Sequence, residues 1–229
     1  MKARATIVVL GIAALSAAAM LVGAAAGRGT EHATAALPTP PIDLGSKCGE
    51  SVGDDGLGEV QLSEPLTVRG PLRLGVPCRI ELRRGSSLTF DHATLHSSFL
   101  YVVDDSPNGP TPVEILDSEL SGTGGGFVVD LRDRDDYFTV SDSTIDYALG
   151  MIVTVTGLTH GGGRLRLERS TIRAMEDGGQ GVALMASENG GEATVVDVNI
   201  DVAGDVPAFV FADRCHSESS VGPAPTCAP

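Results

Sequence analysis

The chain has no tryptophan, only six phenylalanines and three tyrosines, and two lysines in 229 residues; its 16 basic side chains face 30 acidic ones. A net charge of −14 repels phosphate backbones and anionic headgroups alike. Nucleic acid is therefore excluded as a partner, and so is an anionic membrane surface. The lack of tryptophan removes the usual platform on which sugar rings stack. All six phenylalanines sit in apolar runs and are assigned to the core, which leaves Tyr101, Tyr137 and Tyr147 as candidate exposed rings. Helical periodicity is missing throughout, and so are cysteines in the middle of the chain.

The four cysteines that exist, Cys48, Cys78, Cys215 and Cys227, lie near the two ends of the chain. No C-x2-4-C pair occurs among them, which argues against a zinc site. An even count in an exported protein reads as disulfides, and four cysteines allow three connectivities. Cys48–Cys78 with Cys215–Cys227 is favoured, because each bond closes a local loop at one end.

Lys2 and Arg4 precede an apolar run over 7–26, the pattern of an export signal. Residues 1–35 are read as a signal peptide or, if uncleaved, as an N-terminal anchor, the one route by which this chain would meet a membrane. Cleavage after Ala35 removes Lys2, Arg4, Arg28 and Glu31 and takes the charge to −16. A Pro-rich linker follows over 36–47. Residues 48–229 are expected to form a single domain with a disulfide-closed tail, secreted, periplasmic or displayed at the cell surface.

The middle of the chain carries an eight-residue phrase written five times, starting at Leu88, Val113, Phe138, Leu165 and Ala193. The starts are 25, 25, 27 and 28 residues apart. Positions one, three and eight are apolar or, at Ala193, small; positions two, five and seven are polar. Alternation in the first half marks a strand with one face buried. A second apolar run follows each phrase, at 99–103, 127–129, 149–155, 182–185 and 208–211. Units of about 25 residues, mostly strand, with Gly and Asp at the breaks, predict an all-β parallel solenoid of about six rungs. A sandwich of hairpins has no reason to repeat one phrase at non-adjacent positions. Stacking would align Leu88, Val113, Phe138, Leu165 and Ala193 in one interior column. Two more columns would run through Phe90/Ile115/Val140/Leu167/Val195 and Leu95/Leu120/Ile145/Ile172/Ile200. Short apolar stretches at 60–62, 66–68, 72–74 and 80–82 fit degenerate turns before the first full copy. A solenoid leaves unpaired strand edges at its ends, and the terminal cysteines are placed where such edges need closing.

The phrase at 138–145, apolar-x-apolar-x-Asp-Ser-x-Ile, resembles the repeat of right-handed parallel β-helix proteins of the pectate-lyase-like superfamily, over roughly residues 60–212. The resemblance implies the architecture; the superfamily hosts lyases, hydrolases, esterases, tailspikes and adhesins, so it implies no single activity. Position five places His92, Asp117, Asp142, Arg169 and Asp197 in one outward column, and the residue after position eight places His96, Ser121, Asp146, Arg173 and Asp201 in another. Lyases of that superfamily hold calcium with carboxylates and use an arginine as base. By that resemblance Arg169 or Arg173 would be the base, with Asp142, Asp146 or Asp197 as metal ligands. The plainer reading is charge alternation that relieves repulsion between rungs.

Other chemistry has weaker support. The polygalacturonase pattern is absent, only fragments such as Asp104-Asp105 and Asp135-Asp136 being present. Asp130, Asp133, Asp135 and Asp136 crowd one loop and offer hard oxygen donors to calcium, the one cofactor the sequence suggests, although Arg132 and Arg134 offset them and a solvated turn is the simpler account. His92 and His96 lack a third ligand, and the Gly run after His160 lacks a nucleophile elbow. The remaining Gly runs are read as turns that need positive φ. Two functions follow: an exported β-helix with a structural or adhesive role toward an extracellular glycan or surface protein, and a small calcium-dependent polysaccharide lyase.

Overall fold

The computed structural model describes residues 43–54, 56–104, 109–132, 136–155, 163–174, 181–186, 190–203, 208–219 and 227–228. The export segment and most of the Pro-rich linker lie outside the described residues. Among the described residues no helix is long and apolar enough to cross a membrane.

A short helix, α1 (Leu44–Glu50), opens the described chain, across the boundary between the stretch read as linker and the domain. Nothing in the apolar spacing announces it, because seven residues are too few to display a helical period. It is started locally: the carboxylate of Asp43 accepts the N–H groups of Gly45 and Ser46 at 3.1 and 3.3 Å, satisfying donors that the first turn cannot pair.

The rest is strand: β1 (Gly58–Leu62), β2 (Leu66–Arg73), β3 (Cys78–Leu82), β4 (Leu88–His96), β5 (Leu100–Asp104), β6 (Val113–Leu116), β7 (Glu119–Gly122), β8 (Gly126–Leu131), β9 (Tyr137–Ser141), β10 (Thr144–Tyr147), β11 (Gly150–Val155), β12 (Arg164–Glu168), β13 (Thr171–Ala174), β14 (Gly181–Ala186), β15 (Glu192–Val196), β16 (Asn199–Val202), β17 (Ala208–Phe211), β18 (Arg214–Glu218) and β19 (Cys227–Ala228). Sheet one is β1-β3-β5-β8-β11-β14-β17-β19, and sheet two is β16-β13-β10-β7-β4-β6-β9-β12-β15-β18 with β2 on β4. The order of sheet two turns back on itself because β4 pairs β6 with its first half and β7 with its second. It is therefore two limbs joined at a corner, with β4 still continuous around the bend. The architecture is a parallel β-solenoid of about five turns. Those turns coincide with the five phrases, and β1–β2 and β17–β19 extend them at the ends.

The three interior columns are the expected ones. Leu88 pairs Val113, Val113 pairs Phe138, Phe138 pairs Leu165 and Leu165 pairs Ala193. Column one continues to Leu66 at one end and Cys215 at the other. The apolar runs between phrases supply sheet one's inward columns, such as Val60-Ile80-Val102-Val129-Val153-Leu184-Val210. All seven are buried. Each aliphatic side chain so buried contributes about 1.5–3 kcal/mol, and no single turn could bury its inward row without neighbours.

Both disulfides connect as favoured: Cys48–Cys78 and Cys215–Cys227, with Cα separations of 5.7 and 6.0 Å. They suit an oxidising compartment. The first pins α1 over the opening end of the solenoid. Gly58 permits this approach, since a Cβ there would strike the carbonyl of Cys48. The second ties β18 to β19 across the closing end.

Candidate functional site

The outward columns of sheet two begin at the corner. His92, Asp117, Asp142, Arg169 and Asp197 have φ between 45° and 53°, the left-handed region. Position five is thus the bend itself. Asp and His tolerate this conformation better than most residues, whereas an arginine there is unusual.

Position six turns inward and carries a serine ladder. Ser118 Oγ accepts the N–H of Ala93 at 3.0 Å, Ser143 Oγ that of Ser118 at 3.0 Å, and Ser170 Oγ that of Ser143 at 3.1 Å. Each hydroxyl also donates to the carbonyl two residues back, at 2.6 to 2.7 Å. A sharp bend breaks the ladder of backbone bonds, and these hydroxyls restore a partner to each buried N–H group. The serine at this position of the middle three phrases was the available signal.

Arg169 is held tightly at the corner. Its Nε and Nη2 donate to the two carboxylate oxygens of Asp142 at 2.7 and 2.6 Å, Nη2 donates also to Ser141 Oγ at 2.9 Å, and Nη1 reaches Glu168 at 3.2 Å. The guanidinium lowers the Asp142 carboxyl to about 2, with help from the Ser141 hydroxyl. Reciprocally, Asp142 first and Glu168 second raise the already high pKa of Arg169. Such a pair favours both charged forms and opposes loss of the arginine proton.

In the second column Arg173 pairs in register with Asp146 on one side and Asp201 on the other. Its Nη1 stands 3.7 Å from Asp146, a looser contact. Asp91 binds His92 Nδ1 at 2.6 Å and Arg69 at 2.6 Å, which together lower its pKa, the histidine contributing most. His96 is 3.3 Å from Ser121 Oγ. Ion pairs thus run rung to rung along the corner.

Two of the four loop carboxylates are described, and they face opposite ways. Asp130 faces outward and receives both Nε and Nη2 of Arg132, at 2.9 and 2.5 Å. Asp136 points inside and is buried, accepting the N–H and Oγ–H of Thr111 at 2.8 and 3.0 Å. Asp133 and Asp135 lie outside the described residues, as does His160. Among the described residues no three His, Cys, Asp or Glu side chains are grouped to hold a metal ion.

The aromatics require correction. Phe90, Phe127 and Phe138 are core residues, but Phe99, Phe209 and Phe211 are half-exposed. Of the tyrosines, Tyr147 is fully buried, stacked on Phe127 with centroids 5.9 Å apart. Its hydroxyl meets Ser97 Oγ at 2.6 Å, two turns away, and burial raises its pKa to about 12 against the opposing effect of that bond. The ring crosses Gly122, where a Cβ would lie 2.6 Å from Cε1. Tyr101 and Tyr137 remain on the outside, each with an arginine over its ring, Arg79 at 5.4 Å and Arg164 at 5.9 Å. Gly124 and Gly190 adopt positive φ, as the turn reading expects.

Sequence reasoning missed the outer face of sheet one. Register places Glu59, Arg79, Tyr101, Val128, Ile152, Ala183 and Phe209 in one outward column. The adjacent one runs Gln61, Glu81, Val103, Asp130, Thr154, Met185 and Phe211. The face is charged over its first two strands, carries Asp130 on β8, and becomes aliphatic and aromatic toward β17. Phe209, Phe211, Ile152, Val128 and Met185 are half-buried there, while Val103 and Ala183 in the same columns are buried. No family model, curated protein or solved structure matches the chain.

Proposed function

We propose that the protein is an exported β-helix, akin to the pectate-lyase-like superfamily in its repeat, that works by binding rather than by catalysis. Its contact surface is the aliphatic end of sheet one's outer face, and its partner is a protein at the cell surface or in the surrounding matrix. The observation that carries this reading is the outward pair of columns in which Ile152, Phe209, Met185 and Phe211 are half-buried rather than buried, on a parallel sheet. Aliphatic and aromatic side chains with few charges are the composition of an interface core. A glycan would ask for polar groups beside any stacking ring, and this patch has little besides Thr154. Two disulfides and an N-terminal export pattern support an oxidising, extracellular setting.

The lyase alternative needs an arginine that releases its proton beside bound substrate. Of its two candidates, Arg169 is committed to Asp142 and Glu168 in the opposite sense, and Arg173 stands 3.7 Å from Asp146. The test is a binding screen against surface-protein extracts and a glycan array in parallel, with Ile152→Asp as the control for the face. Binding to protein that Ile152→Asp removes is the expected result. Glycan binding that survives Ile152→Asp, or unsaturated product from a polyuronide that is lost in Arg169→Ala or Arg173→Ala, would overturn the reading.

A further inference from the structure

From β1 to β17 the outer face of sheet one carries two columns side by side, one from Glu59 to Phe209 and the other from Gln61 to Phe211. Their members differ strand by strand in complementary ways. β3 bears Arg79 in the first column and Glu81 in the second, a cation beside an anion. β14 bears Ala183 and Met185, small beside large, and β17 bears Phe209 and Phe211, ring beside ring. Ala183 is buried between the larger, half-buried Ile152 and Phe209 of the adjacent strands, so its place in the column is a hollow.

Two sheets packed face to face lie about 10 Å apart. A twofold axis parallel to the solenoid sets each strand antiparallel to the same strand of a second copy and thereby exchanges the two columns. Arg79 then meets Glu81 of the other copy, twice, and Met185 meets the hollow at Ala183, twice. Phe209 meets Phe211, and Glu59 meets the amide of Gln61. Asp130 comes opposite Val128, with its charge already paired to Arg132 at 2.9 Å. An axis along the strands would instead keep each column on itself and reverse the strand order. That arrangement presses Glu59 onto Phe209 and Arg79 onto Ala183, stripping water from charges that gain no partner. Charge pattern and side-chain size therefore select the first arrangement.

We infer that two copies of this chain associate face to face through sheet one, about a twofold axis parallel to the solenoid, with reciprocal Arg79–Glu81 pairs toward one end and a Phe209–Phe211 cluster toward the other. The inference rests on the reading of that face as the contact surface, and it names the protein contacted as a second exported copy. Such an interface is isologous and closes at two subunits. Within one copy the Arg79 guanidinium lies 5.4 Å from the centre of the Tyr101 ring, and the Glu81 carboxylate accepts the Gln61 amide at 2.9 Å and meets Arg83 at 2.6 Å. These contacts hold both interface charges in place before association, which lowers the cost of ordering them.

The test is sedimentation velocity on the exported chain at about 0.15 M ionic strength, where screening over about 8 Å removes most of the general repulsion between two acidic molecules. The wild type is expected to be a dimer. Arg79→Glu and Glu81→Arg each set like charges opposite one another twice, and each is expected to weaken association by about a hundredfold or more. Mixed in equal amounts they restore both unlike pairs, so the mixture is expected to return to the dimer peak, with circular dichroism reporting the fold of each variant alone. Ile152→Asp leaves the charge pairs untouched and is expected to be monomeric as well, which keeps the test decisive if a reversal does not fold. A wild type that stays monomeric up to about 100 µM, weaker than a specific interface allows, would overturn the inference. If that monomer still captures a different surface protein through Ile152, the reading of the face as a contact surface survives; if it captures none, that reading falls too. A dimer indifferent to Ile152→Asp or to both reversals would also overturn the inference, as would a mixture of folded variants that stays monomeric.

Discussion

The outer surfaces of the two sheets rest on the same interior and present opposite chemistry. Sheet two's corner is laced with ion pairs, short at Arg69–Asp91 and Arg169–Asp142 and looser at Arg173–Asp146, each linking one rung to the next. Sheet one's face carries Arg79, Glu81 and Asp130 on its earlier strands and ends in Ile152, Met185, Phe209 and Phe211. In a stacked fold every outward position repeats at about 4.8 Å, so an unrelieved row of aspartates would repel itself. Arginines between aspartates on sheet two are accounted for by that constraint. No such constraint explains an aliphatic row facing outward, and that contrast directs attention to sheet one.

The largest expected effect lies beneath both faces. Leu184→Ala under sheet one and Leu167→Ala under sheet two each remove a fully buried side chain, and each should lower unfolding free energy by about 2–5 kcal/mol in urea. A loss at one site and none at the other would break the claim of a shared interior. Next comes the bend that belongs to sheet two alone. Ser143→Ala strips the acceptor from the Ser118 N–H, and an unsatisfied buried donor should cost about 1–3 kcal/mol, read as a lower urea midpoint. Among the described residues sheet one has no counterpart to this ladder.

The third effect is on binding rather than on stability. Ile152→Asp should leave the melting temperature nearly unchanged while weakening partner binding by about tenfold or more, as a charge buried in an interface core does. The smallest effect falls on the charged corner. Arg169→Ala should leave binding intact and shift the melting temperature little, less still in high salt, as for exposed ion pairs generally. Its signature is in acid. Asp142 has a pKa lowered from 3.8 to about 2, so its contribution is present above the unfolded value and fades as pH falls toward 2. Arg169→Ala removes the main cause of that shift, and its acid-unfolding profile should be flatter than the wild type's across this range.

The interior was legible because the phrase repeats in register: positions one, three and eight name the columns wherever they recur. The cysteine pairing was legible for a related reason, since both pairs close the ends that repetition leaves open. Sheet one's outer face was not. Its strands come from runs such as 149–155 and 208–211 that are apolar at successive positions, and without alternation nothing says which side chain points in. Phe209 and Phe211 were assigned to the core on hydrophobicity alone, yet pairing with Ala183 and Met185 turns them outward. Tyr147 erred in the other direction: following Asp146, it reads as surface, while Gly122 opens the interior to its ring. The left-handed corner was half legible, in that Asp at position five suits it and Arg169 conceals it.

The most direct test of the account places Ile152→Asp and Arg169→Ala side by side in one experiment, recording partner binding and unsaturated-product absorbance on a polyuronide panel. The account predicts binding lost in Ile152→Asp, binding retained in Arg169→Ala, and no product from wild type or variants. Wild-type product formation that Arg169→Ala abolishes, with Ile152→Asp unaffected, would contradict it.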